Sequence, residues 1–321
     1  MVPNVDSQLA DALFRIALNT LDEKPNASAI VSPFSIAMAL ATVNVGGNEL
    51  TSREISDHAF AGIPKDQIGS WFRERLAGFN AKQSVWSRQE SPLSIASAVY
   101  LQQTLHPIQR FTTDVLCNCD CKVKRVDFAG EPRMQKTAIN AFVSVATKGH
   151  IPELLSDTDI SVATQCVAVN AIYLKAQFDK KFNKSDTKEE PFHNEDGSIK
   201  QVQTMNGCKK GRFFETDRYA YAEFSFQNQG FNFFFVVPKT GDLAALKQSF
   251  SSGNSSFSAT TVDASDIPFI HMALPKFKTD AAYRLRNSLN RFGITAMFQH
   301  GAFDGIAEVP LTVDNVIHKV C

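Results

Sequence analysis

The 321-residue sequence lacks an excess of charge of either sign: 33 Lys and Arg stand against 33 Asp and Glu, a formal net charge of zero. A balanced chain has no overall field to draw nucleic acid or an anionic membrane surface, so neither is expected as a partner. Long apolar runs are missing as well. Even the stretch from Phe231 to Pro238 falls well short of the roughly 18 consecutive apolar residues of a membrane span, and it ends in proline. The first residues, Met1 to Ser7, carry neither the basic segment nor the apolar core of a secretion signal. That points to a soluble, cytoplasmic protein. Linkers, repeats and low-complexity tracts are also absent, which predicts one integrated domain over residues 1–321.

Enzyme signatures are missing too. There is no G-x-S-x-G elbow, no phosphate-binding P-loop, no G-x-G-x-x-G and no H-E-x-x-H, so no nucleophile, base or oxyanion donor can be assigned. The chain is not expected to be an enzyme, and no cofactor is implied.

What is present begins with six cysteines: Cys117, Cys119, Cys121, Cys166, Cys208 and Cys321. In the cytoplasm these are thiols rather than a disulfide framework, and the sequons at Asn26, Asn183 and Asn254 are idle. On a strand, Cys117, Cys119 and Cys121 would share a face and offer soft ligands. No second cysteine or histidine pair completes a tetrahedron, however, and ordinary thiols are expected in place of a metal centre. Cys166 sits in an apolar run and reads as a small core residue. The clusters Lys122-Lys124-Arg125 and Lys209-Lys210-Arg212 read as solvated faces, with a polyanion site as the lesser alternative.

Helical and strand periodicities are mixed. Asp6 or Ser7 can cap a helix carrying Leu9, Leu13, Ile16 and Leu21. Ser32-Pro33 supplies a cap and a first-turn proline ahead of Ile36, Leu40 and Val43, and Gly46-Gly47 supplies the stop. Thr51-Ser-Arg-Glu54 fits a capping box, and Ile68, Phe72, Leu76 and Phe79 mark a further helical face. Leu93, Ile95, Val99 and Leu101 alternate as a strand.

From Cys166 to Leu174 both alternating sets are apolar except at Asn170, as in a central strand covered on both faces. An amide in that position needs partners, since an unsatisfied buried polar group costs about 1–3 kcal/mol. Phe231 to Val237 and Ile267 to Leu274 read as strands, and Leu285, Leu289 and Phe292 as a helix closed by Gly293. Without a strict βαβ rhythm, the class is α+β.

Several of these segments, in order, resemble the serpin family. Asn26-Ala-Ser-Ala-Ile-Val-Ser-Pro-Phe-Ser-Ile36 is similar to an early helix signature. Ile139-Asn140 and Thr147-Lys-Gly-His-Ile151 resemble the helix leading into the main sheet. Val169-Asn-Ala-Ile-Tyr-Leu-Lys175, with Phe182, Thr187, Phe192 and Val202-Gln-Thr-Met205, resembles the long central strand and its exit. Leu274-Pro-Lys-Phe277, Leu289-Asn-Arg-Phe-Gly-Ile294, Met297-Phe298, Ala302-Phe-Asp-Gly-Ile306 and Val316-Ile-His-Lys319 continue the series.

The resemblance implies a large central sheet with further sheets and helices. It also implies suicide inhibition of a serine or cysteine protease, in which a cleaved bait loop inserts as a new strand. Ser32, Ser35, Asn170 and His318 match the polar shutter beneath the strands that part, and Asn140, Thr147 and Gly149 match the helix-to-sheet motif. Where the family usually has Gly and then Trp after the strand lysine, this chain reads Lys175-Ala-Gln-Phe178, so Phe178 takes the place of the sheet-top aromatic. The sequence finishes at Val320-Cys321, just where the resemblance leads one to expect the reactive loop and the last core strands. The expectation is therefore a chain that does not itself trap a protease and that leaves Phe233, Phe235 or their neighbours uncovered. An open sheet of that kind is also suited to a strand-adding peptide, the alternative of a non-inhibitory binding or chaperone module.

Overall fold

The computed structural model describes residues 5–23, 29–81, 93–194, 196–227, 231–241, 243–251, 269–279, 281–313 and 316–320. Helix α1 (Val5–Leu21) starts ahead of the expected cap. Asp6 lies in its first turn, accepts a hydrogen bond from the Trp71 indole at 2.6 Å and pairs with Arg75. Ser32 does cap α2 (Pro33–Val45), and Gly46 ends it. Its residues from Ser35 to Asn44 are all buried, as suits a helix apolar on nearly every side.

The capping box fails. The cap of α3 (Glu49–Glu54) is Asn48, whose side chain accepts from Thr51 N at 2.9 Å. Glu54 is turned to a distant task, accepting from the backbone N–H groups of Thr295 and Ala296 at 2.7 Å each. A π-helical turn, Ile55–Ala59, leads on toward α4 (Lys65–Ala81), which buries Ile68, Phe72 and Leu76.

Then come β1 (Leu93–Gln102), α5 (Gln109–Cys119), β2 (Lys122–Val126), α6 (Pro132–Ala146) and β3 (Cys166–Leu174). After β3 the chain forms β4 (Thr187–His193), β5 (Ile199–Lys210), β6 (Arg212–Glu215), β7 (Tyr219–Ser225), β8 (Asn232–Pro238), α7 (Leu243–Ser251) and β9 (Phe269–Pro275). It closes with β10 (Ala281–Arg284), α8 (Arg286–Arg291) and β11 (Ile317–Val320). The expected strand start at Ile267 and the sequons at Asn26 and Asn254 lie outside the described residues.

The chain falls into two compact units, Met1–Leu174 with Thr279–Cys321, and Lys175–Lys278. The first is built on a five-stranded sheet of order β10-β11-β3-β1-β2. Strand β3 runs antiparallel to β1 and parallel to β11. Every residue from Cys166 to Ile172 is buried. On one face Cys166 and Ala168 join Val99, Leu101 and the α2 core, and on the other Val167, Val169 and Ala171 pack with Ile139 and Val143 of α6. This double burial is what the near-continuous apolar run encodes.

The second unit holds two antiparallel sheets, β4-β5-β9 and β6-β7-β8. Ala222, Phe224 and Met272 form its small core, with Phe178, Phe182 and Phe235 packed against it. Phe233 is half-buried like Phe235, while Phe234 and Val237 are exposed at 46% and 56%. The α+β class holds.

Candidate functional site

The buried polar groups of the first unit converge where α2 begins. Ser32 adopts an extended backbone (φ −107°, ψ 99°), and its Oγ accepts from Ser35 N at 3.3 Å, the ordinary duty of an N-cap. Its own backbone N–H donates to His318 Nε2 at 3.1 Å. A backbone N–H can only donate, so Nε2 carries no proton. The ring is therefore neutral, with its hydrogen on Nδ1. Burial pushes the His318 pKa down to about 4, in keeping with that neutral form. The ring lies stacked near Tyr283, centroids 6.1 Å apart.

Asn170 is the strand neighbour of His318 in the β3–β11 register and is 3% exposed. Its Oδ1 accepts from Ser35 Oγ at 2.7 Å. Among the described residues Asn170 Nδ2 and His318 Nδ1 are both buried without a hydrogen-bond partner. The cluster thus ties the start of α2 to two adjacent strands and keeps one spare donor on each. Such a set can exchange hydrogen bonds with an acceptor, but it contains no nucleophile activated by a base.

Asn140 stands elsewhere in the same unit and clamps the segment after α6. Its Oδ1 accepts from Leu154 N at 3.0 Å and Leu155 N at 2.9 Å, and its Nδ2 donates to Leu155 O at 2.9 Å. Thr147 Oγ1 donates to Val143 O and accepts from Ile151 N, and Gly149 turns the chain at φ +79°. That angle is one which L side chains rarely adopt. His150 then stacks on Tyr173 of β3, 4.1 Å between centroids. Asp159 fastens the far end of the segment to Arg284 of β10 at 2.9 Å. Its burial favours the neutral acid, but hydrogen bonds from Ser156 and Arg284 outweigh this and lower its pKa.

Phe178 belongs to the second unit, where it meets Phe182, Phe226 and Phe233 at 5.1–5.6 Å. The reading of Lys209-Lys210-Arg212 as a solvated face holds for Lys210 and Arg212, which are exposed, and is overturned at Lys209, which is only 5% exposed, with Nζ over Phe182 at 4.0 Å and Phe178 at 5.1 Å. The cysteine arrangement is also revised. Cys117 and Cys119 lie in helix α5, where residues two apart point to different sides, so the shared strand face does not exist. Cys117 is exposed while Cys119 and Cys121 are buried, and burial pushes the latter two thiols up to about 11 and about 12. Among the described residues no group of three or more His, Cys, Asp or Glu is placed to hold a metal, and no helix is long and apolar enough to cross a membrane.

Comparison with known proteins gives this arrangement a family. A model described as "Serpin (serine protease inhibitor)" matches residues 7–321. The chain is 28% identical over 297 residues to an uncharacterised serpin-like protein of Thermococcus kodakarensis, covering 92% of this chain and 67% of that protein. It is 28% identical over 323 residues to the leukocyte elastase inhibitor of Sus scrofa, covering 98% of this chain and 83% of that one. The chain thus spans only about two thirds of the archaeal relative's length. Among solved structures, cleaved serpin 42Da superposes with a TM-score of 0.85 over 98% of this chain and 85% of its own, at 23% identity, a likeness of fold.

Proposed function

The chain belongs to the serpin family, and from that premise we propose that it is the sheet-bearing body of a protease inhibitor that accepts a cleaved loop as a new strand between β3 and β11. One observation carries the reading. The two strands are joined over only three register pairs, Ile317 with Val169, His318 with Asn170 and Lys319 with Ala171. At the middle pair sit the two spare donors, Asn170 Nδ2 and His318 Nδ1. A strand arriving there brings backbone carbonyls that can accept from them, so insertion replaces an orphaned arrangement by a satisfied one.

In this reading Ser32, Ser35, Asn170 and His318 are the shutter, and Asn140, Thr147 and Gly149 hold the segment that leads into β3. Phe178 takes the place of the family's sheet-top aromatic, and residues 1–321 act as one domain. The partner class is a serine or cysteine protease, met in the cytoplasm. Its nucleophile attacks the carbonyl of a bait peptide bond and expels the amine. The resulting ester or thioester stays attached to the inserting strand, and the distorted protease cannot hydrolyse it.

The test is a synthetic peptide of small, β-forming residues added to the chain. About twelve residues, at about 3.3 Å each, suffice to run the length of β3. Insertion raises the melting temperature and slows amide exchange on the facing edges of β3 and β11. A peptide that leaves exchange in both strands unchanged refutes the reading. Insertion with no denaturant-stable adduct between the natural protein and any serine or cysteine protease would favour the strand-addition module instead.

A further inference from the structure

Among the described residues Lys209 is the only residue of the Lys, Arg, Asp and Glu types that is buried as a whole. Strand parity puts it there. Met205, Gly207 and Lys209 share the inner face of β5 opposite Leu274, Met272 and Ile270 of β9, while Cys208 and Lys210 alternate with them and are exposed. The Lys209 ammonium donates to the backbone carbonyl of Lys180 and otherwise rests on the faces of Phe182 and Phe178. It forms no ion pair among the described residues. Burial, with a smaller contribution from Lys180, lowers its pKa against the opposing pull of Asp179.

A buried cation held by one carbonyl and two rings is incompletely compensated, because an ammonium has three N–H donors. Beside it opens a cavity of about 190 Å³ within the second unit. Phe178, Phe224 and Phe269 supply apolar walls. Lys180 and Lys210 add two positive charges to that of Lys209, against the single carboxylate of Asp179. The lining is therefore apolar with a net positive charge, which suits an anion with a hydrophobic body.

We propose that this cavity binds a small molecule joining an aromatic or aliphatic body to a carboxylate, the carboxylate pairing with Lys209 and the body lying among Phe178, Phe224 and Phe269. A volume of this size fits a ring and a short acid chain.

The probe is 3-phenylpropionate, with 3-phenylpropan-1-ol as its neutral counterpart, titrated calorimetrically into the whole chain at neutral pH. The acid is expected to bind saturably and about tenfold or more tighter than the alcohol, as a charge-assisted hydrogen bond requires. Lys209→Met should reduce the acid to the level of the alcohol. Acylation of wild-type Lys209 by an N-hydroxysuccinimide ester, read by peptide mass spectrometry, should slow when the acid is present, and this readout needs no variant to fold. Equal binding of acid and alcohol, no binding at millimolar concentration, full affinity in Lys209→Met, or unprotected acylation would each overturn the proposal.

Discussion

His318 makes a prediction whose size and sign both follow from its surroundings. Its imidazole takes a proton near 6.5 in the unfolded chain and at about 4 when folded, because burial, at 2% exposure, disfavours the charged ring. A folded-state pKa below the unfolded value means that the full contribution is present above 6.5. It is lost as pH falls toward 4, where the unfolded chain gains a proton that the folded one refuses. The whole displacement corresponds to about 3 kcal/mol, of which about 2 kcal/mol is gone at about pH 5. The Asp6 and Asp159 carboxyls, also held low, give up their contributions only below their ordinary value of 3.8, so they do not blur this window. Urea unfolding at about pH 7.5 and about pH 5 should show that loss in the wild type and little of it in His318→Gln, which cannot titrate. An NMR titration should find the imidazole still neutral at about pH 5. An imidazole titrating near 6.5, or a pH difference shared by wild type and variant, would refute the argument.

Two further outcomes can be checked by exchange and unfolding. Ser35→Ala strips the donor from Asn170 Oδ1 and should cost about 1–3 kcal/mol in urea unfolding. The same change made on an Asn170→Ala background should cost clearly less, and equal costs in both backgrounds would show that the two side chains are not coupled. Asn140→Ala orphans the amides of Leu154 and Leu155, which should exchange roughly tenfold faster or more. Unchanged exchange at those two positions would mean that the clamp contributes nothing to the segment.

How far the chain can be read without its structure depends on the range of the interaction that decides each residue. Asn170 was conspicuous because one amide in a doubly buried strand must find a partner, and it finds Ser35 Oγ, 135 residues away in sequence. His318 carries no such local signal. A four-residue strand has too little periodicity to place itself against β3, and only the family resemblance singled it out. Glu54 misled for the opposite reason. Its spacing from Thr51 fits a capping box, but Asn48 takes the cap and the freed carboxylate holds amides 241 and 242 residues away.

Lys209 is the instructive case, since the deciding information is local and lies in the period of the strand. As a run of charge, Lys209-Lys210-Arg212 looks like a solvated face. As a strand with a repeat of two, it obliges Lys209 and Lys210 to point in opposite directions, and one of them must meet the aromatic residues that follow Lys175. Charge decides which residues prefer water, but strand parity decides which ones reach it. Where the two conflict, the fold leaves a cation beside apolar walls, and such conflicts are where a ligand is most worth seeking.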